Sequence, residues 1–235
     1  MNLLTLIQRF CKRTNIEVPG EILGSNSAQI KQILGLLEEE GNELAGRGDW
    51  QELTNESLHT TVATESQGAI KTIADNGFRY IKDGTIWNRT SNLRLYVVDD
   101  AYWQHVKGTA ATSPNYAVRI RGGNLLANPV PGAGDTWAFE YISYNWTTDS
   151  AGANAAQYFV ADTDLTLLPE NILMMGLRWR WKKEKGFEYS EDFIAYERLV
   201  KDALTRNGMH RTLNMSDRQS VPSPKIFVND GNWPV

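Results

Sequence analysis

The chain has 235 residues, 41% of them hydrophobic, and a formal net charge of −4 from 24 basic and 28 acidic side chains. That is enough apolar material for a sizeable core without disulfides or a structural metal, and it excludes collagen-like, disordered and low-complexity chains. The charge balance gives no reason to expect a sequence-specific DNA binder, and the single cysteine excludes both an internal disulfide framework and a cysteine-based zinc finger.

Residues 1–51 read as helix. Leu3, Ile7 and Phe10 share one face of a first short helix, and Glu17-Val18-Pro19-Gly20 stops it. The apolar run is broken by Thr5, Gln8 and Arg9 and has no basic segment before it, so neither a signal peptide nor a membrane span is expected, and the protein should remain in the cytoplasm of the cell that makes it. Cys11 closes this apolar stretch and reads as a small buried core residue. A second helix opens at Ser25-Asn26-Ser27, carries Ile30, Ile33, Leu34, Leu37 and Leu44 on one face, and ends near Gly46-Arg47-Gly48. Its other face bears Glu38, Glu39, Glu40 and Glu43, read as a solvated surface.

From Trp50 to about Tyr158 the period becomes alternating. Asp83-Gly84, between Tyr80-Ile81-Lys82 and Thr85-Ile86-Trp87, is the signature of a tight hairpin. Leu93, Leu95 and Val97 alternate with Arg94, Tyr96 and Val98. A strand through Tyr116, Val118 and Ile120 stops at Gly122-Gly123, and Trp137, Phe139 and Tyr141 form one aromatic strand face. A short helix is expected over about 100–106. These short strands predict an antiparallel sandwich or small barrel.

Helix returns over 169–206. Leu173, Gly176, Leu177 and Trp181 are core-spaced after Pro169, while Phe193, Tyr196, Val200 and Leu204 line a second segment opened by Ser190-Glu191-Asp192. Two amphipathic helices before the sheet and two after it pack most simply as one bundle with a β insertion. The remainder shows no period, contains Pro222, Pro224 and Pro234, and still carries Ile226, Phe227, Val228 and Trp233, anchors for an extended arm that orders against a partner.

Chemistry-bearing motifs are sparse. His59, His105 and His210 have no companions at ligand spacing, and no nucleophile elbow, phosphate loop, zinc-protease or dinucleotide pattern occurs. Asp162 and Asp164 resemble a carboxylate pair but read as turn residues ahead of Pro169. No cofactor, metal or catalytic set is expected. The one concentrated positive feature is Arg178, Arg180, Lys182, Lys183 and Lys185 interleaved with Trp179 and Trp181. Base stacking and phosphate contact would suit it, but alternate helical positions point apart, which favours two buried tryptophans and cations that solvate or meet acidic residues.

The string from Arg119 to Trp146, which contains Gly122-Gly123, Pro129-Val130-Pro131 and Gly132-Ala133-Gly134, resembles the strand-turn-strand core of phage head-to-tail adaptor proteins. Asp162 to Asp164, Leu167-Leu168-Pro169-Glu170 and the run from Leu177 to Lys183 resemble that family's return into its helices. The resemblance extends over about residues 1–206 and lies in the order of parts. It implies a structural virion protein without enzymatic activity, forming a ring, a dodecamer in that family, between the portal and the tail or nozzle. Double-stranded DNA would pass through its lumen without sequence-specific binding, no membrane would be involved, and assembly would take place in the host cytoplasm.

The expected architecture is therefore α+β. Residues 1–51 supply the N-terminal helices of an antiparallel bundle, 52–166 an inserted antiparallel β-sandwich or barrel, 167–206 the C-terminal helices and 207–235 an extended arm. Partner contacts are expected at Ile226, Phe227, Val228, Trp233, Trp179, Trp181, Arg178 and Arg180. The alternative is a carbohydrate- or receptor-binding β module using Trp87, Trp103, Trp137, Trp146, Tyr141 and Tyr144, which requires several of these rings to face solvent together.

Overall fold

In the computed structural model, which describes residues 1–108 and 115–207, four helices from the two ends of the chain pack together, and three small sheets are formed by the chain between them. Helix α1 (Leu3–Thr14) begins where the Asn2 side chain accepts the Thr5 N–H at 2.9 Å and stops at Asn15, which takes a left-handed φ of 55°. Helix α2 (Ala28–Gly46) buries Ile30, Ile33, Leu37 and Leu44, with Leu34 at the edge of that face. Helices α5 (Glu170–Glu184) and α6 (Ser190–Asn207) close the bundle, α5 touching each of the other three. Because it lies at the centre, α5 is buried on nearly all sides, from Ile172 through Leu177 to Trp181. Cys11 lies within the same core, and burial pushes its thiol pKa up.

The β region is organised by its longest strand, β9 (Thr136–Ser143), whose Trp137, Phe139 and Tyr141 are all core residues. Strand β1 (Thr54–Thr60) lies antiparallel along one edge of it, and β3 (Phe78–Ile81) and β4 (Trp87–Asn88) lie end to end along the other. The expected hairpin at Asp83-Gly84 is thus a detour: the chain leaves β9 and rejoins it running the same way. The Lys82 N–H donates to the Glu140 carbonyl, and Thr85 Oγ1 bonds both backbone groups of Glu140, so β9 itself captures each end of the detour.

The expected single strand through Leu93, Leu95 and Val97 is also divided. Strand β5 (Leu93–Arg94) pairs with β4, and β6 (Tyr96–Val97) crosses to a second sheet, of order β2 (Ser66–Ala69), β8 (Asn124–Asn128), β7 (Ala117–Arg121), β6. Leu95 is buried at the crossover, its N–H donating to Ile86. β7 and β8 form a true hairpin because Gly122 and Gly123 both take positive φ, 58° and 76°. Residues of both sheets meet in one core that includes Val118, Leu125, Trp137 and Phe139. Two features depart from the expected antiparallel sandwich or barrel: no barrel closes, and β6 runs parallel to β7. The connection between these parallel strands includes helix α4 (Asp100–Gly108), whose Trp103 is buried with Ala117 of β7 and Leu126 of β8. The remaining elements are a 3-10 turn over Gln51–Leu53, the single turn α3 (Ile70–Ile73) and a three-stranded sheet of β10 (Thr147–Thr148), β11 (Ala155–Ala156) and β12 (Leu165–Thr166).

Trp146 joins the β region to the bundle. Its indole donates to Asn42 at 3.1 Å, packs edge-on to Phe159 at 5.1 Å, and lies so close over Gly41 that a Cβ there would come within 2.2 Å of the ring. Asp162 and Asp164 are turn residues, as expected. The Asp162 carboxylate accepts the Ile22 and Leu23 N–H groups at 2.8 and 3.0 Å, and that of Asp164 accepts Val160 and Ala161 at 2.7 and 2.8 Å. Their carbonyls receive the first N–H groups of α1, from Leu4 and Leu3, tying the start of the chain to the segment before α5.

Candidate functional site

Helix α5 places the basic and aromatic stretch at the centre of the bundle, and successive positions serve different neighbours. Trp179 faces α6, edge-on to Phe193 at 5.1 Å and close to Tyr189 and Tyr196, while Trp181 faces α1, edge-on to Phe10 at 6.0 Å. Two tryptophans two residues apart are more than half a helical turn apart in direction, which accounts for the two interfaces. Lys183 and Lys185 lie over the faces of Trp179 and Trp181 respectively.

Arg180 turns toward α2. Its guanidinium meets Glu40 at 2.7 Å, Glu39 at 2.5 Å and also Glu43, and it is almost wholly buried. The expectation that the acidic run is a solvated surface is corrected here: Glu40 is fully buried, opposite Gly176, where any Cβ would overlap its carboxylate. Burial pushes the Glu40 carboxyl pKa up, opposed by Tyr196 and Arg180. For Glu43 burial pushes the same way, but the Arg180 and Arg47 guanidiniums outweigh it and hold that carboxyl below its usual range. Burial and the facing Glu40 raise the Tyr196 hydroxyl strongly. Arg47 extends the network, joining Glu43 at 3.1 Å to Glu197 of α6 at 2.6 Å. The arrangement is an ionic brace across three helices.

Arg178 leaves this interior. It stands with Lys182 beside Asp192, at 3.3 Å for Arg178, and both cations rim a groove of about 450 Å³ between α1 and α5. Phe10, Met174 and Trp181 form its floor, Arg13 supplies a third cation, and Phe187, 62% exposed, stands at its mouth. Of the expected partner residues on α5, then, Trp179, Trp181 and Arg180 are largely enclosed in the protomer, and Arg178 is open. Ile226, Phe227, Val228 and Trp233 lie outside the described residues. Sequence reasoning did not find the groove, because its walls come from helices more than 150 positions apart and only their packing puts Arg13 beside Arg178.

The aromatic platform of the alternative reading is not present. Trp103, Trp137, Trp146 and Tyr141 are core residues, leaving only Trp87 and Tyr144 partly exposed, at 40% and 37%. Among the described residues no group of His, Cys, Asp or Glu is placed to hold a metal ion, and no helix is long and apolar enough to cross a membrane.

The chain matches the SU10 adaptor protein model over residues 1–225 and belongs to that family of phage head-to-tail adaptors. The comparison with curated proteins finds no match. As a family member the protein is a structural component of the virion, located between head and tail, where it binds portal and tail components, and it is not an enzyme.

Proposed function

We propose that copies of this chain form a closed ring, a dodecamer as the sequence resemblance implies, seated on the portal on one side and on the tail or nozzle on the other. Genome DNA passes through the lumen without sequence-specific contact, and the net charge of −4 suits a channel in which a polyanion must slide. The observation that carries the reading is the state of the basic stretch. Arg180, at the centre of the stretch, is committed to three carboxylates of its own chain and not to phosphate, and what remains open beside it is a groove with an apolar floor, suited to protein contact. Residues 207–235 act as the docking arm, with Ile226, Phe227, Val228 and Trp233 as anchors and Arg178 at the receiving surface. Trp179, Trp181 and Arg180 serve the contact by holding α5 in place. Electron microscopy of the purified protein with and without portal tests this. Rings, or twelve-fold decoration of portal particles, are the expected result, and a protein that stays monomeric and leaves portal bare overturns it.

A further inference from the structure

We infer, on the reading of the protein as a ring-forming adaptor, that the groove between α1 and α5 receives residues 226–233 of the neighbouring copy. Its floor of Phe10, Met174 and Trp181 is apolar and its mouth leaves Phe187 62% exposed, an arrangement that burial of a further aromatic or aliphatic group would complete. The rim is cationic in a chain of net charge −4. Helix α1 carries Arg9, Lys12 and Arg13 and no acidic residue, and Arg178 and Lys182 pair with one carboxylate, Asp192, while Glu188 also feels the charge of Lys182. The fitting occupant is a short apolar-aromatic segment bearing a carboxylate. The chain supplies one: Ile226, Phe227 and Val228, followed by Asp230 and Trp233.

The connection is long enough. Phe227 lies about 20 residues beyond Asn207, a reach of about 66 Å at roughly 3.3 Å per extended residue. Helix α6 separates Asn207 from the groove by only about 27 Å, at roughly 1.5 Å per helical residue. The groove of the same copy is within that reach, and so is that of an adjacent ring subunit standing no farther away; ring closure favours the neighbour. In a cyclic ring each copy must offer one patch and receive a different one, and an arm with a groove is such a pair.

The test uses the full chain with a photo-crosslinking benzoylphenylalanine in place of Phe227. Light and ¹⁵N-labelled copies are mixed in equal amounts, assembled into rings, alone or on portal, irradiated and mapped by mass spectrometry. Adducts on the peptides of Met174, Trp181 or Phe187, with about half of them joining a light to a heavy copy, are expected. In parallel, Asp230→Lys should lower the ring fraction at least tenfold and Arg13→Glu in the same chain should restore it. Intact rings with adducts only within one isotope, only elsewhere, or none overturn this proposal and leave the adaptor reading standing. Loss of rings and of portal decoration in the unmodified protein overturns that reading and this proposal with it.

Discussion

Arg180 and Glu40 show how a charged pair can be central to a helical core. Removing one member leaves the other buried without its counter-charge, so Arg180→Met is expected to cost about 3–5 kcal/mol by urea unfolding. The double variant Arg180→Met, Glu40→Met replaces both charges by apolar groups and should recover most of that loss. The carboxylates also predict a pH dependence. Glu40 binds its proton more tightly folded than unfolded, so it adds stability as pH falls through its raised value toward the ordinary carboxylate value. Glu43 has the opposite sign: it adds stability above the ordinary value and loses it as pH falls through its lowered value. Glu40→Gln should therefore lose stability more steeply than the parent protein on acidification from neutral pH toward about 4.5. Urea midpoints measured at several pH values check this, and parallel curves for the two proteins would contradict it.

Within one helix, α2, two glycines predict opposite outcomes. Nothing lies near a Cβ at Gly35, so Gly35→Ala should stabilise the protein by roughly 0.5–1 kcal/mol through helix propensity alone. At Gly41 the Cβ would overlap the Trp146 indole, and Gly41→Ala should destabilise by about 1–3 kcal/mol despite the same propensity gain. Thermal melts of the two variants give the signs directly. On α5, Trp179→Ala should cost about 3–5 kcal/mol, since three aromatic rings of the α5–α6 interface pack on it. Helices were the most legible elements in the sequence, because a period such as Leu3, Ile7 and Phe10 is local and each helix had one apolar stripe to bury. The Glu40 brace was hidden because its partner lies 140 positions away, and a row of glutamates looks the same whether one of them is buried or none is. Asp83-Gly84 misled for a related reason. A turn signature records that the backbone bends, whereas β9, more than 50 residues later, decides whether the chain reverses or rejoins the same edge.

At the scale of the whole molecule, the core of the described residues is complete without the C-terminal arm. Deleting residues 220–235 is therefore expected to leave the monomer's melting temperature unchanged while portal binding is lost. A large fall in melting temperature with portal binding retained would mean that the arm belongs to its own fold. The bundle has a further consequence, for how the protein is made. Helices α1 and α2 emerge from the ribosome before the surfaces that bury them: Trp146, the Asp162–Asp164 clip and α5 follow up to roughly 170 residues later. At about 5–20 residues per second the early helices wait on the order of 10 s with their leucines and isoleucines uncovered. The nascent chain is thus most prone to aggregation midway through synthesis, and a host holdase chaperone is expected to raise the soluble yield more for a chain stopped at residue 150 than for one that has reached Asn207.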